Sequence, residues 1–188
     1  MSDASTEATV DLTGIALRAL LLYSLAEFQT GYATTIRITA TGTSFGIADN
    51  GRGHPIDRVV DGTAYVNFIY THFDCPFESG QSSPVQLQGI GISLVNALCS
   101  ELALTVKKRD ETLQLLFQDG KLQNKSRTKV ESEETGITVS AKINPQVQRS
   151  GVAADLLQDW LLGVLASNPT LKLFFNDREL KVRPQGNA

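Results

Sequence analysis

The residues best suited to chemistry stand together in Asp49-Asn50-Gly51-Arg52-Gly53-His54-Pro55. A carboxylate at the end of a buried strand is partly desolvated and needs a donor; an exocyclic amino group such as that of adenine would serve. The two glycines permit positive φ and let another group approach the backbone closely. On these residues alone, a plain strand-to-loop turn with Asn-Gly chemistry accounts for the stretch equally well. A second stretch, Gln88-Gly89-Ile90-Gly91 followed by Ile92-Ser93-Leu94-Val95-Asn96-Ala97-Leu98, is a Gly-x-Gly turn opening a short apolar helix. Unpaired amides at a helix start carry the positive end of the dipole, which suits phosphate. His72 and Cys75 are only two ligand-type side chains and do not make a zinc site.

These residues need elements to hold them. The spacing predicts a helix capped by Asp11 or Thr13, carrying Leu17, Leu20, Leu21, Leu25 and Phe28 on one stripe and ending near Gly31. Alternation over Ile36 to Ala40 and Thr43 to Ala48 predicts a hairpin turning at Thr41-Gly42, whose second strand delivers Asp49. Apolar spacing predicts a helix from Arg58 to about His72, and the Pro-, Gly- and Ser-rich run from Asp74 to Val85 reads as a mobile loop. Strands are expected over Ala103 to Lys108, Thr112 to Gln118 and Gly136 to Ile143, with an exposed polar connection from Lys121 to Glu134. An amphipathic helix is expected over Val152 to Leu165, centred on Leu156, Leu157, Trp160, Leu161 and Val164. A last hairpin, Leu171 to Phe175 and Glu179 to Val182, turns at Asn176-Asp177. Strands with helices on one face make an α+β, two-layer α/β sandwich. The expected organisation is a disordered tail over residues 1–10, one domain over 11–184 and a short tail over 185–188.

At 188 residues the chain can bury one proper core, and its 41% apolar and 20% charged content is ordinary for a soluble protein. A formal net charge of -3 gives no general electrostatic reason to expect DNA binding. Two cysteines do not make a disulfide framework, the opening residues are polar and acidic, and no apolar run approaches membrane-spanning length. The expected setting is the cytoplasm.

Together, the DNGRGxP stretch and the LxGxGxSxVNAL stretch resemble the ATPase domain of the gyrase and topoisomerase IV B subunits, of the GHKL (Bergerat) group. The resemblance runs from about Leu12 to about Leu180. It implies a GHKL sandwich that binds ATP or ADP. It implies that Asp49 recognises adenine, that Gly51 and Gly53 form the bend beneath the base, and that Arg52 lies beside it. It implies family roles for Pro55, for Gly89 and Gly91 at the phosphates, and for Thr135 in support of the adenine pocket. Glu27 would pair with Arg52. The Asp74 to Val85 loop corresponds to a lid over the nucleotide.

The chain also departs from the family. Aligning on Ser24, Glu27, Gly31 and Tyr32 puts Ala19 at the position of the catalytic glutamate and Tyr23 at that of the magnesium-binding asparagine. Ala19 cannot activate a water and Tyr23 is a poor magnesium ligand. Ala19, Tyr23 and Glu27 fall four apart on one stripe, so all three are expected to face the site. His54 replaces an apolar residue and reads as a partly exposed loop histidine; Ile137 replaces a threonine; the lid lysine has no counterpart. Lys107, Lys108 and Arg109 read as a solvated strand end. The leading expectation is a nucleotide-binding domain with degenerate hydrolysis and no assigned metal ligand. A protein-interaction module that has lost the nucleotide, and an ATPase completed by a partner chain or homodimer, stay open beside it.

Overall fold

A computed structural model describes residues 11–72 and 91–182. The expected lid, Gly89 and both tails lie outside them.

Asp11 opens the first helix, α1 (Leu12–Gln29), by accepting a bond from the Gly14 amide at 2.9 Å. Gln148 reinforces that end, its Oε1 accepting from the Leu12 amide at 2.6 Å and the Thr13 amide at 3.2 Å. The helix stops where Gly31 turns to φ +82, and the Tyr32 and Ala33 amides both donate back to the Glu27 carbonyl at 2.9 and 3.0 Å. Leu17, Leu20 and Leu21 are fully buried along it, each worth roughly 1.5–3 kcal/mol of transfer free energy.

Strands β1 (Thr35–Thr41) and β2 (Ser44–Asp49) form the expected hairpin, with Ile36, Ile38 and Ala40 facing in and Arg37, Thr39 and Thr41 facing out. The chain then departs from expectation. Arg58 to His72 is not one helix: β3 (Val59–Val60) and β4 (Thr63–Ala64) make a small separate hairpin, and only α2 (Tyr65–Thr71) is helical. Asp61 and Gly62 both take positive φ, +47 and +77, as a two-residue hairpin turn demands.

Helix α3 (Ile92–Leu98) leads into β5 (Cys99–Lys107) and β6 (Glu111–Gln118). The stretch expected as a connection is instead β7 (Lys121–Lys129), paired along β6. As the edge of the sheet it is exposed on nearly every residue, so it carries no apolar alternation to reveal it. Strand β8 (Gly136–Ile143) follows, then α4 (Ala154–Ser167), β9 (Lys172–Phe175) and β10 (Arg178–Glu179). On α4, Leu157, Leu161 and Leu165 are buried, whereas Leu156, expected at the centre of its apolar face, is 68% exposed.

The eight-stranded sheet runs β10-β9-β1-β2-β8-β5-β6-β7, antiparallel except where β1 pairs with β9. Helices α1, α3 and α4 pack their apolar side chains on one face of the sheet, giving the two layers expected from the pattern. The other face is largely small and polar: Thr39, Ser44, Thr138, Ser140 and Lys142. The sheet places β2 and β8 side by side at its centre, and their shared end carries the site.

Candidate functional site

Asp49 is the last residue of β2, with Ile36 on one side and Ile137 of β8 on the other. Its carboxylate is held at both oxygens. The Ser24 hydroxyl donates to Oδ2 at 2.6 Å and the Gly51 amide donates to Oδ1 at 2.9 Å. Burial raises the Asp49 pKa above the ordinary value; the bonds from Ser24, Gly51 and the Ile137 backbone oppose that rise without cancelling it. Ser24 is itself fully buried on α1, so helix and strand are joined through this carboxylate.

The turn that follows is packed too tightly for side chains. A Cβ on Gly51 would lie 2.9 Å from Glu27 Oε2, 3.0 Å from Glu27 Cβ and 3.1 Å from Asp49 Oδ1. Asn50 points away and ties the turn to the segment after α1, its Oδ1 accepting from the Thr34 and Thr35 amides at 2.9 Å each.

Glu27 and Arg52 form the expected ion pair. Arg52 Nη2 donates to Oε1 at 2.7 Å, while its Nε and its own amide donate to Oε2 at 3.2 and 3.0 Å. Burial acts to raise the Glu27 pKa, but the Arg52 bonds and charge outweigh it and hold the carboxyl below its usual range. The guanidinium also lies over the Tyr32 ring, 3.5 Å from Cζ to the centroid.

Two side chains brace the turn from beneath. Half-buried His54 meets the fully buried Tyr70 edge-on, ring centroids 6.0 Å apart, with Nε2 3.5 Å from the hydroxyl. Desolvation, helped by the charge of Lys108, lowers the His54 pKa to about 4, so the ring is neutral at physiological pH. Burial likewise raises the Tyr70 phenol, with Tyr23 and Asp49 adding to the effect.

Lys108 corrects the expectation of a solvated strand end. Its Nζ donates to the Arg52 carbonyl at 2.7 Å and the Gly53 carbonyl at 3.1 Å, and burial lowers its pKa. Strand parity carried the signal: Lys108 follows Lys107 on β5 and so shares the face of buried Val106.

The remaining expected residues fall around this centre. Pro55 is exposed beyond the turn, and half-buried Thr135 stands immediately before β8. Gly91 is the N-cap of α3. Ala19, expected to face the site, is 4% exposed and part of the core; Tyr23 is partly buried against it. Among the described residues no three His, Cys, Asp or Glu side chains are grouped to hold a metal.

No protein-family model matches the chain. A topoisomerase IV B subunit of Mycoplasma genitalium is 30% identical over 168 residues, 85% of this chain and 26% of the relative. The gyrase B subunit of Thermotoga maritima is 29% identical over 162 residues, 82% of this chain and 25% of the relative. The topoisomerase IV ATP-binding domain of Francisella tularensis, solved with a small-molecule inhibitor, superposes with a TM-score of 0.74 at 22% identity, covering 86% of this chain and 45% of that one. The fold is that of a GHKL-type ATP-binding domain, and the sequence is similar to topoisomerase B subunits. The chain spans about a quarter of the length of the curated relatives it matches. The GHKL architecture of this topoisomerase-like domain is the two-layer arrangement described above, with the Asp49 turn at the end of its central strands.

Proposed function

We propose that this domain binds ATP or ADP at the Asp49 turn and does not hydrolyse ATP by itself. The observation that carries the reading is the Asp49 carboxylate. Two oxygens offer about four acceptor positions, and Ser24 and Gly51 use two. An acceptor position left at a buried strand end calls for a donor, and the exocyclic amine of adenine supplies one. Gly51 and Gly53 let the turn press against Glu27, Asp49 and Val106, Arg52 flanks it, and Thr135 and Pro55 take their roles by resemblance to the family. Gly91, with Gly89 before it, takes the phosphate side by resemblance to the family. Protons pass nowhere in this scheme, because Ala19 is an inert methyl in the core and Tyr23 offers a phenol in place of a hard metal ligand. Neither residue offers magnesium a ligand of the family type.

The domain works in the cytoplasm, with a second copy or a partner chain supplying what hydrolysis or dimer closure would need; a net charge of -3 argues against direct DNA contact. None of the described helices is long and apolar enough to cross a membrane. Calorimetric titration with ADP and ATP, with and without magnesium, tests the reading. Losing a hydrogen bond to a charged group costs roughly 1.5–3 kcal/mol, so Asp49→Ala should weaken ADP by about tenfold or more. Unchanged affinity in that variant places the base elsewhere, and no binding by the wild type favours an interaction module.

A further inference from the structure

Tyr32 is a large aromatic residue left 52% exposed, and its surroundings give that exposure a purpose. The Glu27 backbone carbonyl accepts the Tyr32 amide at 2.9 Å, and the Glu27 carboxylate accepts three bonds from Arg52. One residue thus fixes both partners of the stack in which Arg52 Cζ lies 3.5 Å from the Tyr32 centroid. Glu27 takes the Nε and Nη2 edge of the guanidinium and Tyr32 covers one face. The Arg52 side chain is still 51% exposed, so its opposite face and its Nη1 edge are what meet solvent.

We infer that Tyr32 is a positioning residue for the base site. Its ring holds the Arg52 guanidinium plane so that the free face forms a flat, cationic stacking surface for a heteroaromatic base. Arginine is suited to this, because its planar, weakly hydrated cation stacks on aromatic rings on both sides. The bidentate pair with Glu27 sets where the cation sits, and the ring sets its tilt. The inference rests on the nucleotide reading above and adds a residue that no motif singles out for that role.

The experiment is an ADP titration of Tyr32→Leu and Tyr32→Phe beside wild type and Asp49→Ala. It is paired with heteronuclear NMR of the Arg52 Nε–H and of the Gly51 and Gly53 amides. Tyr32→Leu should weaken ADP about three- to tenfold, in line with a partly exposed cation–π contact, while Tyr32→Phe stays within about twofold. The Arg52 Nε–H signal should shift and broaden in Tyr32→Leu alone, with the glycine amides in place. Wild-type affinity in Tyr32→Leu, with binding lost in Asp49→Ala, overturns this inference and leaves the nucleotide site standing. Equal losses in Leu and Phe, or displaced glycine amides, also overturn it, by assigning the effect to the hydroxyl or to a disturbed turn. Absence of ADP binding by the wild type removes both readings together.

Discussion

Gly136 lies so close to Asp49 that a Cβ at position 136 would sit 2.0 Å from the Asp49 carbonyl oxygen. The contact is between backbones, at φ +130 for Gly136, and it locks the start of β8 onto the end of β2. No side-chain rotation can relieve it. Gly136→Ala should therefore cost about 3 kcal/mol or more, from disfavoured φ and from steric overlap. In thermal unfolding this corresponds to a fall of roughly 6–12 °C for a domain of this size. A melting temperature within a degree or two of wild type would show that β8 can part from the Asp49 turn without loss.

Glu27→Gln addresses the ion pair. Arg52 holds the Glu27 carboxyl below its usual range, so its stabilisation is fully present above the unfolded pKa and is lost as pH falls through the lowered folded value. With a half-exposed arginine the effect is discounted to about 1 kcal/mol, a little more for Glu27→Ala because the Arg52 amide loses its acceptor too. Chemical denaturation of wild type and Glu27→Gln should differ at pH 7 and converge only as pH falls through the lowered folded value. Asp49 titrates in the opposite sense, its pKa being raised by burial and further by the Glu27 charge, so Glu27→Gln relieves part of that rise. A gap that persists once the folded carboxyl is protonated would assign the contribution to packing.

His54 gives a separate pH signature. Its folded pKa of about 4 lies below the ordinary 6.5, so the unfolded chain takes up the proton first on acidification. Stability is unaffected above about pH 6.5 and falls between there and pH 4, by up to about 2 kcal/mol after allowance for partial exposure. His54→Phe should flatten that slope, and the wild-type imidazole signals should stay those of the neutral ring at pH 5.5. An imidazole that titrates near 6.5 would contradict the packing against Tyr70.

Hydrolysis should be absent. General-base assistance contributes roughly 10²–10⁴-fold, and Ala19 supplies none. Ala19→Glu should not restore turnover, and because position 19 lies in the core the buried carboxylate should lower the melting temperature instead. Steady release from the wild type, abolished by Asp49→Ala, would reassign the first helix.

The legible parts were those where side-chain type and spacing are both constrained. The Asp49 turn, α1 and the central hairpin were readable because each needs particular residues at fixed separations, and the Glu27–Arg52 pair followed from the family resemblance. β7 was hidden because a solvated edge strand has no inner face to reward apolar residues. The Val59 to Ala64 hairpin was mistaken for helix because its few valines and alanines fit a helical stripe as well as a strand, and Asp61-Gly62 was the overlooked signal. Leu156 fits the α4 stripe by type, yet it lies one residue off the buried row of Leu157, Leu161 and Leu165. Lys108 was masked by its charged neighbours, although its parity with Val106 pointed inward.

The contact between Gly136 and Asp49 has an implication for how such a chain changes over time. Asp49, Gly51 and Gly136 are each bound into the architecture: the first ties α1 to the turn, and the other two fill spaces that admit no side chain. A lineage released from any demand for nucleotide would still be compelled to keep them, because losing them endangers folding. Position 19 carries a small core side chain with no part in the turn. The recognisable motif is the slow-drifting part of this domain, and the first helix is the dial on which a change of occupation would register first.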